Sequence, residues 1–261
     1  MKIDLGHISL NVREDGNPSG QPVLFSNSLG TSLELWDKII PRLPSNLRLI
    51  RYDMRGHGGS DVPEPPYSMG SLIRDAEMLL DHLHVRDCVF VGLSIGGMIA
   101  QGLATKRLDQ IRALVLSNTA PKMGTAQLWQ DRMDAIRTGG LESMADAVME
   151  RWFSRAFRAT PELAEWRKML TDTPQDGYLG ACAAIAGTDF YTQTAALTLP
   201  TLVIAGSDDG ASPPDLVRET HELIKGSRFE LIRRAGHLPC VEQPEAFADH
   251  VSQFLSDIGH I

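Results

Sequence analysis

The segment Val89-Phe90-Val91-Gly92-Leu93-Ser94-Ile95-Gly96-Gly97 constrains this chain more than any other. Its first five residues are continuously apolar, the mark of a strand buried on both faces, as in a parallel sheet covered by helices on both sides. The run passes at once into a helical stretch from Ile95 to about Thr105. A strand-to-helix turn that tight leaves no space for side chains at the flanking positions, and Gly92 and Gly96 occupy them. Ser94 is then held on the turn with its hydroxyl projecting from the C-terminal edge of the sheet, the context in which a G-x-S-x-G serine is a nucleophile. The N–H of Ile95, at the helix start, lacks an intrahelical acceptor and is free to bind an oxyanion.

The rest of the chain fits a sheet of this kind. Ile3 and Leu5 alternate, Gly6-His7 turns, and Ile8, Leu10 and Val12 alternate again, which predicts an initial hairpin. Val23–Phe25, Leu47–Tyr52 and Ile111–Leu116 read as strands, and Leu72, Ile73, Ala76, Leu79, Leu80 and Leu83 fall at helical spacing. Leu202–Ala205 and Phe229–Ile232 read as later strands, with helices over Leu216–Ile224 and Phe247–Leu255. Between them, residues 121–195 are helical throughout, with stripes Trp129/Met133/Ile136, Leu141/Ala145/Val148/Trp152 and Leu163/Trp166/Leu170. The expected organisation is an α/β core over 1–120 and 196–261, interrupted by an all-helical cap over 121–195.

A serine nucleophile needs a base, and the base needs a group to orient it. His237 lies in Arg234-Ala235-Gly236-His237-Leu238-Pro239, a loop after a late strand and the last place in the chain order Ser, Asp, His. His57, in a Gly-rich loop, is assigned a structural role. His82 and His84 point apart on a helix and make a poor metal pair. The loop Gly206-Ser207-Asp208-Asp209-Gly210 offers two carboxylates that could face His237, and local chemistry leaves Asp208 and Asp209 both open. Asn27-Ser28-Leu29-Gly30, after the strand Val23–Phe25, is where a second oxyanion donor is expected.

Composition narrows the partners. Lys and Arg total 25 against 33 Asp and Glu, a net charge of −8, which argues against nucleic acid as a ligand. Cys88, Cys182 and Cys240 are odd in number and far apart, with no C-x-x-C, so neither a disulfide framework nor a zinc site is expected. The polar start Met1-Lys2-Ile3-Asp4 and the lack of an apolar run of about 18 residues predict a cytoplasmic chain without a membrane span. No metal, nucleotide or flavin site is expected.

On Asn27–Gly30, Arg51-Tyr52-Asp53-Met54-Arg55-Gly56-His57-Gly58-Gly59-Ser60, Gly92–Gly97, Gly206–Asp209 and Gly236-His237, the chain resembles the α/β-hydrolase superfamily over its whole length. The superfamily pattern G-x-x-D, laid on Gly206–Asp209, selects Asp209, and Leu29 and Ile95 match the two oxyanion donors. Most members carry His-Gly where this chain has Asn27-Ser28. That departure is typical of the 3-oxoadipate enol-lactonases, to which the stretches Phe25–Thr31, Val91–Gln101 and Leu116–Ala120 are also similar. Esterases, C–C hydrolases and perhydrolases share most of these stretches, and a ligand sensor on the same fold would keep the triad.

The resemblance implies hydrolysis of an enol-lactone that carries a free carboxylate, by Ser94, His237 and Asp209 through an acyl-enzyme. A protein of net charge −8 must meet such a substrate with a local cation. Arg132, three residues after Trp129 and four before Ile136, borders a buried stripe and is the candidate; Trp129 and Trp152 are candidates for the apolar wall.

Overall fold

The chain, described from Met1 to Ile261 in a computed structural model, begins with the expected hairpin, β1 (Lys2–Asp4) and β2 (Ser9–Gly16). Six further strands follow: β3 (Gln21–Ser26), β4 (Leu47–Tyr52), β5 (Cys88–Leu93), β6 (Ile111–Ser117), β7 (Thr201–Gly206) and β8 (Arg228–Ile232). They form one sheet in the order β1-β2-β4-β3-β5-β6-β7-β8. The pairings β1/β2 and β2/β4 are antiparallel and the other five are parallel. Every residue of β5 and β7 is buried, as continuous apolar runs demand.

Helices α1 (Met69–His82) and α2 (Ile95–Lys106) make the crossovers on either side of β5. Ser68 caps α1 in a reciprocal box with Ser71, satisfying donors that the helix cannot pair internally. Between β6 and β7 the chain contains no strand. It forms α3 (Ala126–Gly139), α4 (Ala145–Trp152), α5 (Leu163–Asp172), α6 (Gln175–Ala186) and α7 (Tyr191–Ala195). The three apolar stripes face inward, except that Leu163 is only half-buried. The chain closes with α8 (Pro214–Leu223), α9 (Pro239–Glu242) and α10 (Pro244–Asp257), each with proline in its first turn, where a missing N–H costs nothing. The short 3-10 turns at Leu33–Trp36 and Ile40–Arg42 leave no mark in the hydrophobic pattern, because three or four residues carry no period.

Register decides where the loops meet. Strand β3 lies between β4 and β5, so the sheet's winding reverses there and a crevice opens beyond the strands' C-terminal ends. Ser26 pairs with Gly92, Leu93 with Ser117, Ser117 with Ile204, and Gly206 with Ile232. The ends of β3, β5, β6, β7 and β8 are therefore level along one edge. The loops carrying Leu29, Ser94, Asn118, Asp209 and His237 all leave from that edge. No helix is long and apolar enough to cross a membrane.

Candidate active site

Ser94 sits between β5 and α2 with φ 59° and ψ −119°, a conformation rarely adopted by residues other than glycine. Such a backbone costs about 1–3 kcal/mol and persists only where its surroundings impose it. Here the surroundings are specific. The Ser94 N–H donates to the Ser117 carbonyl (2.9 Å), and its carbonyl accepts from Thr119 Oγ1 (2.7 Å). A Cβ on Gly92 would meet the Gly96 carbonyl oxygen at 2.3 Å, and one on Gly96 would meet the Ser26 oxygen at 2.2 Å. Both glycines are thus required by close backbone approach.

The loop after β7 separates the two aspartates. The Ser207 N–H donates to the Ile232 carbonyl (2.9 Å) and the Asp208 N–H to the Ala235 carbonyl (2.8 Å), which pins the loop to its neighbour. Asp208 is left exposed, accepting from Ser207 Oγ, while Asp209 turns inward and is buried. Four donors converge on Asp209: Ala211 N–H (2.7 Å) and Ser212 N–H (2.9 Å) on Oδ1, Asn118 Nδ2 (2.7 Å) and His237 Nδ1 (2.9 Å) on Oδ2. A carboxylate only accepts, so Nδ1 of His237 carries the proton and Nε2 is the basic nitrogen. That Nε2 accepts from Ser28 Oγ at 3.4 Å, and His237 and Ser94 line one cavity.

The histidine loop is anchored by the helical stretch. The His237 N–H donates to the Trp152 carbonyl (2.7 Å) and the Gly210 N–H to the Arg151 carbonyl (3.0 Å), at the end of α4. The Glu242 carboxylate accepts from the Gly236 N–H (2.6 Å) and the Ser154 N–H (3.1 Å), tying the same loop to the residues after α4. Burial pushes the Glu242 carboxyl above its ordinary pKa.

The loop after β3 is braced by Asn27. Its Oδ1 accepts from Trp36 Nε1 (2.7 Å) and its Nδ2 donates to the Tyr52 carbonyl (3.1 Å). The next peptides, Ser28 to Gly30, turn beneath the cavity, with the Thr31 N–H donating to the Ser28 carbonyl (3.2 Å). Leu29 lies in this turn and lines the cavity beside Ser94. The N–H of Ile95, in the first turn of α2, has no acceptor within its helix.

His57 supports this loop from below. It is fully buried, its Nε2 accepts from the Gly30 N–H (3.0 Å), and its Nδ1 donates to the Arg55 carbonyl (3.2 Å). An accepting Nε2 carries no proton, and burial pushes the His57 pKa down to about 4. In the unfolded chain the imidazole binds its proton near pH 6.5. The contribution of neutral His57 is therefore fully present above pH 6.5 and is lost as pH falls from 6.5 to 4, roughly 3 kcal/mol in all. Denaturant unfolding of the wild type and of His57→Asn across that range measures it. A steeper loss of stability in the wild type is expected, and parallel slopes would refute this role.

The cavity encloses about 190 Å³ and no carboxylate lines it. Trp129, Arg132 and Trp152, the three candidates from the helical stretch, all contribute to its wall. Two residues that the sequence reading did not single out join them, Arg151 and Tyr178. Arg132 Nη2 donates to the Tyr178 hydroxyl (2.6 Å), and its guanidinium lies 5.3 Å from the centre of the Trp129 ring. Asn118 was also missed as a partner of the aspartate. Cys88, Cys182 and Cys240 are buried and unpaired. None of the three lines the cavity, and burial pushes the Cys88 and Cys182 thiols up to about 12 and raises that of Cys240 as well. No group of three or more His, Cys, Asp or Glu side chains is arranged to hold a metal ion.

Residues 21–244 match the family model described as alpha/beta hydrolase fold. The chain is 36% identical to 3-oxoadipate enol-lactonase 2 of Acinetobacter baylyi over 92% of its own length and 90% of that enzyme's. Among solved structures it is similar to the enol-lactonase from Burkholderia xenovorans LB400, at 35% identity and a TM-score of 0.94, covering 98% of this chain and 100% of that one. It is also similar to a thermophilic esterase from Thermogutta terrifontis with malate bound, at 29% identity and a TM-score of 0.90, covering 96% of this chain and 94% of that one.

Proposed function

The chain belongs to the alpha/beta hydrolase fold family, and we propose that it is a carboxylic ester hydrolase that opens 3-oxoadipate enol-lactone to 3-oxoadipate through a serine acyl-enzyme. One observation carries this reading: Ser94, His237 held by Asp209, and the cation Arg132 face one cavity free of carboxylates. The relatives named as enol-lactonases, and the malate held by the Thermogutta esterase, support a small anionic substrate. We take residues 121–195 as the cap that supplies the substrate wall, and the remaining chain as the core that supplies the chemistry. Bacterial degradation of aromatic acids in the cytoplasm is the setting that this substrate implies.

The arrangement of these groups around one cavity supports the following steps. His237 Nε2 takes the proton of Ser94 as Oγ attacks the lactone carbonyl, and Asp209 holds the tautomer and stabilises the imidazolium. The N–H groups of Leu29 and Ile95 receive the tetrahedral oxyanion, where one lost donor typically costs about 2.7–4 kcal/mol. The ring C–O bond breaks and the enol oxygen takes the proton from His237. The leaving group stays attached to the acyl chain, and its conversion from enol to ketone pulls the reaction forward. Water, deprotonated by His237, then attacks the acyl-serine, and Ser94 leaves with the returned proton.

Arg132 is the proposed partner of the substrate's free carboxylate. Arg132→Met should raise KM for the enol-lactone about tenfold or more, the scale of one lost charge-assisted contact. Its KM for the neutral p-nitrophenyl acetate should be unchanged. Steady-state kinetics on both substrates decide it, and an equal rise in both KM values would reject the carboxylate role.

A further inference from the structure

The guanidinium of Arg151 is placed oddly for a surface residue. The residue is half-buried and lines the cavity that holds Ser94 and His237. Its guanidinium takes part in no ion pair or side-chain hydrogen bond, although the chain has 33 acidic residues. Other sunken arginines hold carboxylates closely: Arg51 with Asp15 at 2.7 Å, Arg55 with Asp75 at 2.6 Å and Arg107 with Glu77 at 2.9 Å. The side chain of Arg151 is not what fixes α4. The backbone does that, through the carbonyls of Arg151 and Trp152.

Its neighbour is a second cation without a counter-ion. Arg132 bonds only the Tyr178 hydroxyl, and its own Nε is buried with no partner. Desolvation, and after it the charge of Arg132, depresses the Arg151 pKa. Burial holds the Tyr178 hydroxyl protonated, with its pKa pushed up to about 12. That hydroxyl accepts from Arg132 and so keeps its own proton free to donate. Two like charges drawn out of water beside each other are unfavourable until an anion joins them.

We propose that Arg151, Arg132 and the Tyr178 hydroxyl form one anion seat that grips a single carboxylate, and that Arg151 is a specificity residue for carboxylate-bearing substrates. The inference deepens the lactonase reading, on which it rests for taking that carboxylate as the substrate's own. A single seat in the cavity wall limits which ester carbonyl reaches Ser94. It also rejects neutral analogues, because they leave two desolvated cations unpaired.

The test is direct binding by calorimetry, which needs no turnover. The probes are pentanoate, the isosteric neutral pentanamide, and the dicarboxylate glutarate. The wild type should bind pentanoate at least tenfold more tightly than pentanamide. Arg151→Met should lose at least tenfold in pentanoate affinity with pentanamide unchanged, and Arg151→Lys should keep part of it. Thermal melts of both variants confirm that they are folded. Glutarate should gain little over pentanoate. Equal binding of pentanoate and pentanamide by the wild type, or unchanged pentanoate binding by Arg151→Met, would overturn the proposal. So would a tenfold preference for glutarate that Arg151→Met removes, since Arg151 would then serve a second carboxylate. If pentanoate behaves as expected but the enol-lactone is not consumed, the seat stands and the lactonase reading falls. If the lactone is consumed but Arg151→Met binds pentanoate as the wild type does, only the seat falls.

Discussion

Asp209→Asn should lower kcat on the enol-lactone by about 10⁴-fold, the scale seen when the orienting carboxylate of a serine triad becomes an amide. The four donors on Asp209 explain why no rotation of the amide rescues it. One oxygen faces the N–H groups of Ala211 and Ser212, and the other faces Asn118 Nδ2 and His237 Nδ1. An amide NH₂ placed on either side meets two donors. Turned toward His237, it forces the imidazole into the tautomer that carries its proton on Nε2, so the base is lost. Turned away, it unpairs two backbone N–H groups at about 1–3 kcal/mol each. The variant should therefore lose rate and stability together. Pre-steady-state kinetics and denaturant unfolding on the same preparation check both, and a variant with more than a tenth of the wild-type kcat would contradict the assigned role.

Gly177→Ala should destabilise the protein by about 3 kcal/mol, at the upper end of overpacking costs. Gly177, near the start of α6, touches the core loop at Gly56. A Cβ added at Gly177 would lie 1.9 Å from the Gly56 carbonyl oxygen and 2.5 Å from its carbonyl carbon and Cα. All three are backbone atoms, so no side chain can swing aside, and α6 must lift. The next residue is Tyr178, whose hydroxyl meets Arg132. The displacement should therefore raise KM for the charged lactone more than for a neutral ester. Denaturant unfolding measures the first effect and paired kinetics the second. A loss of stability under 1 kcal/mol would mean that α6 is not held by this contact.

These two sites differ in how far the sequence foretold them. The buried run Val89–Leu93, with its glycines, announced both the parallel sheet and the strand-to-helix turn on which Ser94 sits, because period, length and turn chemistry agree there. His237 was legible from its place after a late strand. Asp209 was not separable from Asp208 by local chemistry, since both stand on one polar turn. The choice is made by Ile232 and Ala235, residues distant in sequence that pin Ser207 and Asp208 and leave Asp209 facing inward. The cavity wall was legible only in pieces. Arg132, Arg151 and Tyr178 lie on three helices, α3, α4 and α6, and only tertiary packing brings them to one cavity. Arg151 did carry a local signal: three residues after Val148, it borders its apolar stripe as Arg132 borders another. The Gly56–Gly177 contact had none, because a glycine's neighbour across space leaves no mark in its own segment.

The proposed chemistry turns on acylation of Ser94 by an enol-lactone. The most direct measurement mixes purified protein with 3-oxoadipate enol-lactone and follows the loss of its ultraviolet absorbance, with Ser94→Ala run in parallel. Rapid loss is expected with the wild type and none above background with the variant. Equal rates for the two proteins, or no consumption by either, would contradict it.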